Sequence, residues 1–299
     1  MKKPIALFCS DLHLTSQVPD CRDPETWIQD QESMLNVLID TVNGYKVPLC
    51  IAGDIFHRPK EDPIIESMII RKLLQLDYPC YTIPGQHDMP GHSYERLNES
   101  SYDVLRATRA IHHCPAYEPL KYDCAYLCGV PYGQDISGTN WKRDNLVLMA
   151  HQMVYTLEPF PGAPESGNIN SVYKQIKAFR LAVFGDNHQG FVHKKKDKMI
   201  INCGVAIQRT RAEIEYQPYA YLLYSDFSIE KIKLPTTDKF IKKVQKRSQD
   251  QFDVFISTLK EKQEVSLSFR ENLKQTLTLM KADKELQDMV WDIMEECNE

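Results

Sequence analysis

The sequence predicts an α/β fold built around a parallel sheet. Short apolar runs bounded by Gly, Pro or charge, the pattern of buried strands, alternate with stretches whose apolar residues recur at helical spacing. Over the first 84 residues the order is strand, helix, strand, helix, strand, a βαβ succession that places strands parallel. A third observation bears on chemistry. Five of the runs deliver loops carrying Asp, His or Gln at their carboxyl ends, where open α/β sheets hold their ligand crevices.

The first run, Ile5-Ala6-Leu7-Phe8-Cys9, leads into Asp11-Leu12-His13. Residues 15 to 29 are polar, carry Pro19, Pro24 and Trp27, and are expected as a surface excursion near the site. Met34, Leu35, Val37, Leu38 and Ile39 then predict a helix with Gly44 as its C-cap. Leu49-Cys50-Ile51-Ala52 leads into Gly53-Asp54-Ile55-Phe56-His57. Asp62-Pro63 opens a second helix, whose buried face is expected to comprise Ile64, Ile65, Met68, Ile69, Leu73, Leu74 and Leu76. Tyr81-Thr82-Ile83 leads into Gly85-Gln86-His87-Asp88.

Residues 93 to 108 read as a polar helix, and Ala110 to Gly133 as short strands and turns. Leu146-Val147-Leu148-Met149-Ala150 delivers His151, and a Pro- and Gly-rich loop from Glu158 to Gly167 is expected over the site. A helix around 170–179 comes next. Leu181-Ala182-Val183-Phe184 then delivers Gly185-Asp186-Asn187-His188, and hairpins at 190–203 and 219–234 finish the globular part. Beyond about residue 239 there is no Gly, no Pro and no strand pattern, whereas Leu286, Met289, Val290 and Ile293 fall at i, i+3, i+4, i+7. The expected domains are therefore 1–237 and a helical region, 238–299.

Composition is that of a globular protein, 42% hydrophobic and 26% charged. A net charge of −5 provides no overall basic field for nucleic acid, although a local basic groove can coexist with it. No apolar run approaches the roughly 20 residues of a membrane span, so the protein is read as cytoplasmic with no membrane partner. The nine cysteines are scattered, and Cys9, Cys50, Cys80 and Cys203 sit in or at the ends of strands, as small hydrophobes do. Cys124 and Cys128 make at best half of a zinc site.

Asp11 and His13 are one residue apart, so in extended backbone they share a side and can grip one ion. Asp54, His151 and His188 arrive from other strands. Carboxylates with neutral imidazoles suit Mn²⁺, Fe²⁺ or Zn²⁺, and the lack of thiolates argues against closed structural zinc. Asp11, His13, Asp54, Gln86, His151, Asp186 and His188 are more ligands than one ion needs. Two divalent ions bridged by a carboxylate would use them, and would clamp the attacking and leaving oxygens of a phosphoester. Each loop alone has a plainer explanation. Gly-Asp at a strand end is commonly a turn with an Asx hydrogen bond, and His92, His112, His113 and His193 are read as structural. The argument is joint, resting on five loops in order.

That order, Asp-x-His, Gly-Asp-x-x-His, Gly-x-His-Asp, His, Gly-x-x-His, resembles the calcineurin-like metallophosphoesterase superfamily over residues 5 to about 205. Gly53-Asp54-Ile55-Phe56-His57 looks like its SbcD-type DNA repair nucleases, and Asn202-Cys203-Gly204 with Arg209 is similar to the segment after their last motif. The resemblance implies a sandwich of two sheets flanked by helices and two divalent ions, Mn²⁺ foremost, with Mg²⁺ or Fe²⁺ as alternatives. Asp11, His13 and His188 would hold one ion, Asp54 would bridge, and His151 would hold the second with Gln86 and Asp186. His87 would protonate the leaving oxygen or stabilise charge, Asp88 would orient its ring, and His57 would position the phosphate or second ion.

Two positions depart from the family pattern, Gln86 for Asn and Asp186 for His, and both fall on the second ion. Asp replaces a neutral nitrogen with a charged oxygen and should favour harder ions. The implied function is exonucleolytic and endonucleolytic hydrolysis at DNA ends, in repair or recombination, with an SbcC-type ATPase docked through the C-terminal helices and homodimerisation open. Arg58, Lys60, Lys142, Arg143 and Lys194-Lys195-Lys196 are the candidates for a basic groove. The rival readings are a phosphoesterase for a nucleotide or small phosphodiester, and a binding subunit weakened at the second ion.

Overall fold

A computed structural model describes residues 2–136, 144–156 and 164–237, together with Phe240 and Leu277. The chain divides into two compact units, Met1–Ile241 and Lys242–Glu299, and the first carries every strand among the described residues. Its elements are β1 (Pro4–Cys9), α1 (Trp27–Tyr45), β2 (Leu49–Ala52), α2 (Pro63–Leu73), β3 (Cys80–Ile83), α3 (Ser101–Ala107), β4 (His112–His113), β5 (Leu120–Tyr122) and β6 (Ala125–Val130), then β7 (Leu146–His151), α4 (Ile169–Gln175), β8 (Leu181–Gly185), β9 (Phe191–Lys195), β10 (Lys198–Asn202), β11 (Tyr219–Tyr224) and β12 (Ile229–Lys233).

The strands form two six-stranded sheets, ordered β12-β11-β1-β2-β3-β4 and β5-β6-β7-β8-β10-β9. In the first, β1, β2, β3 and β4 run parallel and the β11–β12 hairpin is added antiparallel. In the second, β6, β7, β8 and β10 run parallel, with β5 and β9 antiparallel at the edges. The parallel order expected for the first three strands is present, and the two sheets flanked by helices that the resemblance implies are present as two mixed sheets. Hairpins can add a strand only antiparallel, and here they supply the rims.

Side-chain alternation makes the layers. Cys50, Ala52, Val147, Met149, Leu181 and Val183 point between the sheets. Their neighbours Leu49 and Ile51 pack against the Met34, Leu35 and Leu38 face of α1. Leu148, Ala182 and Phe184 pack against Val172 of α4. Both faces of these strands are covered, which is why they read as continuous apolar runs rather than alternating ones.

Three expectations need correction. Trp27 belongs not to a surface excursion but to the first turn of α1, fully buried with Nε1 donating to the Thr15 carbonyl at 2.9 Å. α1 runs past Gly44 and is capped by Lys46, left-handed at φ 59°. Ile64 and Leu74 of the second helix are 61% and 63% exposed, because the sheet covers only the face carrying Ile65, Met68, Ile69 and Leu73. Residues 158–163 of the expected loop, Lys142, Arg143 and the stripe at Leu286, Met289, Val290 and Ile293 lie outside the described residues. No helix among the described residues is long and apolar enough to cross a membrane.

Candidate metal centre

The five loops meet at the carboxyl ends of β1, β2, β3, β7 and β8, and backbone hydrogen bonds lace them together. Asp11, His13 and Leu14 donate their N–H groups to the carbonyls of Gly53, Asp54 and Ile55, and His57 N–H returns to Leu14 O. Asp186 N–H donates to Asp11 Oδ1 at 3.1 Å. Asp11, His13, Asp54 and Asp186 have φ of 51°, 44°, 52° and 89°. The extended backbone expected between Asp11 and His13 is therefore absent, and left-handed turns bring the two side chains together instead. Each such residue costs on the order of 1–3 kcal/mol, a strain characteristic of ligand clamps.

Two motif glycines have a steric reason. A Cβ on Gly53, itself at φ 89°, would overlap the His151 ring, and one on Gly85 would overlap the Asp54 carboxylate.

Asp54 lies at the centre, with no exposed surface. Its Oδ1 accepts the His87 N–H at 3.0 Å. Its Oδ2 has no hydrogen-bond partner and stands 3.3 Å from His151 Nε2 and 3.7 Å from His13 Nε2. His151 Nδ1 meets the Ala52 carbonyl at 2.6 Å, which fixes the proton there and turns a bare Nε2 toward Asp54. His188 repeats the device, its Nδ1 3.2 Å from Glu213 Oε1 and its Nε2 3.1 Å from His13 Nε2. Two ring nitrogens this close need a proton or a cation between them.

The ligand atoms of Asp11, His13 and His188 lie within 4.8 Å of one another, as do those of Asp11, Asp54 and His151, and those of His13, His57 and His87. Gln86 and Asp186 are joined to each other, Gln86 Nε2 donating to Asp186 Oδ1 at 2.8 Å. The Gln86 carbonyl Oε1 is left buried and without a partner. The two positions that depart from the family pattern are thus direct neighbours in space.

His57 and His87 stack, with ring centroids 5.5 Å apart. The partner that orients His87 is the His57 carbonyl, 3.0 Å from Nδ1. Asp88, expected to hold that ring, is instead buried with its carboxylate accepting the N–H groups of Ile55, Phe56 and Gly85. It ties the second loop to the third and acts on His87 only through them.

Burial dominates the electrostatics. It pushes Asp11 up to about 6, against the pull of His151 and His188, and Asp88 up to about 7 with help from the Asp54 charge. Burial lowers His57 to about 3, lowers His87, and holds His13 well below its ordinary value, with Arg209 adding to all three. On His151 burial also acts downward, yet Asp54 and Asp11 outweigh it and raise the ring well above its usual value. Burial likewise opposes the raised pKa of His188, which its Glu213 and Asp11 partners sustain. The carboxylates require positive charge here, whether from protons on these two rings or from cations.

The donor set fits divalent cations. Asp54 Oδ2, His151 Nε2 and Gln86 Oε1 are buried polar atoms that the protein leaves unsatisfied, and buried orphans of this kind ask for a ligand. Glu213 is the residue that sequence reasoning missed. In the sequence, Thr210 and Glu213 show only the spacing of a capping box, which the structure contains, and nothing local ties Glu213 to His188.

No family model and no curated protein matches the sequence. Among solved structures, the chain is similar to an archaeal phosphodiesterase (13% identity, TM-score 0.42, covering 78% of this chain and 100% of that one) and to a protein of Thermus thermophilus (13%, 0.45, 77% and 98%). It is also similar to a Staphylococcus aureus protein described as a candidate 5'-nucleotidase, at 12% identity and a TM-score of 0.50 over 85% of this chain. The match spans 59% of that protein's length. Two mixed sheets packed face to face with helices outside form an α/β sandwich whose strand ends converge on one point, a fold consistent with a metallophosphoesterase sandwich.

Proposed function

We propose that this chain is a metal-dependent phosphodiesterase acting on DNA ends, the SbcD-type nuclease subunit of a complex with an SbcC-type ATPase. One observation carries the two-ion reading. Asp54 Oδ2, buried and unpartnered, lies between His151 Nε2 and His13 Nε2, which belong to different ligand clusters. Asp11, His13 and His188 would hold one divalent ion, His151, Gln86 and Asp186 the second, and Asp54 both, with Mn²⁺ or Mg²⁺ favoured by the oxygen-rich second set. Bound there, divalent ions supply Lewis-acid charge to phosphoryl oxygens and make water a nucleophile near neutral pH.

The protein's own groups do the rest. With Nδ1 committed to the His57 carbonyl, His87 has Nε2 free to carry a proton to the leaving oxygen. Burial lowers its pKa, and an incoming phosphate's charge would raise it again, so that protonation follows substrate binding. His57, stacked on His87, and Arg209, whose guanidinium Nε is buried without a partner, would hold the phosphate's other oxygens. The exposed Arg58 and Lys60 just beyond His57 support a polyanion over a small ester, whereas the run at Lys194, Lys195 and Lys196, expected to border the groove, lies at the opposite end of β8 and β10 from the site. Residues 1–237 would form the nuclease domain and 238–299 the docking region for the ATPase.

The test is degradation of linear duplex DNA with Mn²⁺, Mg²⁺ or EDTA, beside the His87→Gln variant. Metal-dependent cleavage lost in the variant is the expected result. Cleavage of a small phosphodiester without cleavage of DNA would remove the DNA assignment and leave the phosphoesterase one. No cleavage of either would favour a binding subunit.

A further inference from the structure

We propose that the cavity on the β7 side of the metal centre is a nucleoside site. It would take the uncharged base and sugar attached to the phosphate; the proposal rests on the phosphoesterase reading and specifies what stands beside the scissile bond. The cavity holds about 520 Å³. His151 and Asp186, two candidate ligands, form part of its wall, so a group bound there adjoins whatever the ions hold.

The remaining chemistry of the wall selects the occupant. Tyr132, Gln134, Gln152 and Gln175 line it together with the Asp135 carboxylate, and no lysine or arginine does among the described residues. Among the described residues a second phosphate would find no cation. A planar neutral group with donors and acceptors along its edge would find an aromatic face and three carboxamides, each able both to give and to accept. The Tyr132 ring stands beside the His151 ring, centroids 6.4 Å apart, and the Tyr132 N–H is fixed by the Pro84 carbonyl at 3.2 Å. A base stacked on Tyr132 would therefore lie next to the metal centre.

Gln134 supplies an independent indication. Its N–H donates to the Pro131 carbonyl, yet its side-chain Oε1 is buried with no partner. An acceptor already stripped of water and left unsatisfied by the protein awaits a donor, and the amino or imino hydrogens of bases are such donors.

The test uses the full chain in EDTA, titrated with adenosine, thymidine or ribose and read by saturation-transfer NMR. Binding of a nucleoside through its base protons, absent for ribose, is expected. Gln134→Ala and Tyr132→Ala should each weaken it about tenfold, the size of one hydrogen bond or one stack, and Tyr132→Phe should restore stacking. With Mn²⁺ present, the same variants should lower the ratio of kcat/KM for thymidine 5'-(p-nitrophenyl phosphate) over bis(p-nitrophenyl) phosphate by a similar factor. Equal binding of ribose and nucleosides, or a base preference that survives both alanine variants, would overturn the proposal. The NMR arm needs neither ions nor turnover. Base binding without any hydrolysis would sink the phosphoesterase reading alone, and hydrolysis without base binding would sink the pocket alone.

Discussion

Two groups of histidines in this molecule sit in similar surroundings and are treated in opposite ways. His113, at the edge of the first sheet, has both ring nitrogens satisfied, Nδ1 by Tyr102 OH at 3.0 Å and Nε2 by Tyr94 OH at 2.8 Å. His193 similarly meets Tyr173 OH through Nδ1 at 3.0 Å. In the metal centre, His13 Nδ1, His57 Nδ1 and His151 Nε2 have no partner, and His13 Nε2 faces only another imidazole. The chain is able to pair a half-buried imidazole when packing is all that matters. Where it leaves nitrogens bare and converging beside carboxylates, the arrangement fits a cation as the missing partner.

The sharpest way to break that contrast is Asp54→Ala. With one carboxylate serving both ligand clusters, the variant is expected to lose turnover altogether and most of its Mn²⁺ binding, read by calorimetry. Retained binding of two ions would mean that Asp54 does not bridge. Next in size is His87→Gln, expected to lower the rate by about 10²–10⁴ while still binding ions. Measurement of kcat beside ion affinity separates it from the ligands, and an unchanged rate would remove His87 from proton transfer. Glu213→Gln should weaken ion affinity by about 10–100-fold, the usual effect of removing a carboxylate behind a ligating histidine. Affinity equal to wild type would reduce the His188–Glu213 contact to packing.

The smallest effect lies on the other side of the comparison. His113→Phe should leave turnover intact but destabilise the fold by about 1–3 kcal/mol, because Tyr94 and Tyr102 lose a partner. Burial holds the His113 pKa at about 4, below its ordinary 6.5, so the folded state resists the proton that the unfolded chain accepts. That contribution is fully present above pH 6.5 and is lost as pH falls toward 4. Thermal unfolding of the variant should therefore depend less steeply on pH in that window, and an identical slope would assign the dependence to other groups.

Much of this architecture was legible because it rests on local signals. The strands ending at Cys9, Ala52, Ile83, His151 and Gly185 are covered on both faces, so their apolar runs are unbroken and their loops announce themselves. The division into two sheets was not readable from periodicity, since it depends on which strands pair, and β1 pairs with β11 across more than 200 residues of sequence. Trp27 looked like a loop residue because its neighbours are polar, and only the Thr15 carbonyl reveals why it is inside. In the site, residue types were readable but hydrogen-bond roles were not. Asp88 follows His87 directly, yet its carboxylate turns to the backbone of the second loop. Glu213 reaches His188 across 25 residues, a contact with no periodic trace.

The left-handed backbone at positions 11, 13, 54 and 186 bears on how the protein would change under selection. These four residues combine strained torsions with charge or imidazole beside other titrating groups, so the ion-free chain is least comfortable where its chemistry resides. A library of variants sorted only for resistance to heat, in the presence of chelator, would drift toward glycine and asparagine at those positions and become inert as it became hardier. Sorted with divalent ions present, the same library would hold them, because the ions make the working residues the stabilising ones.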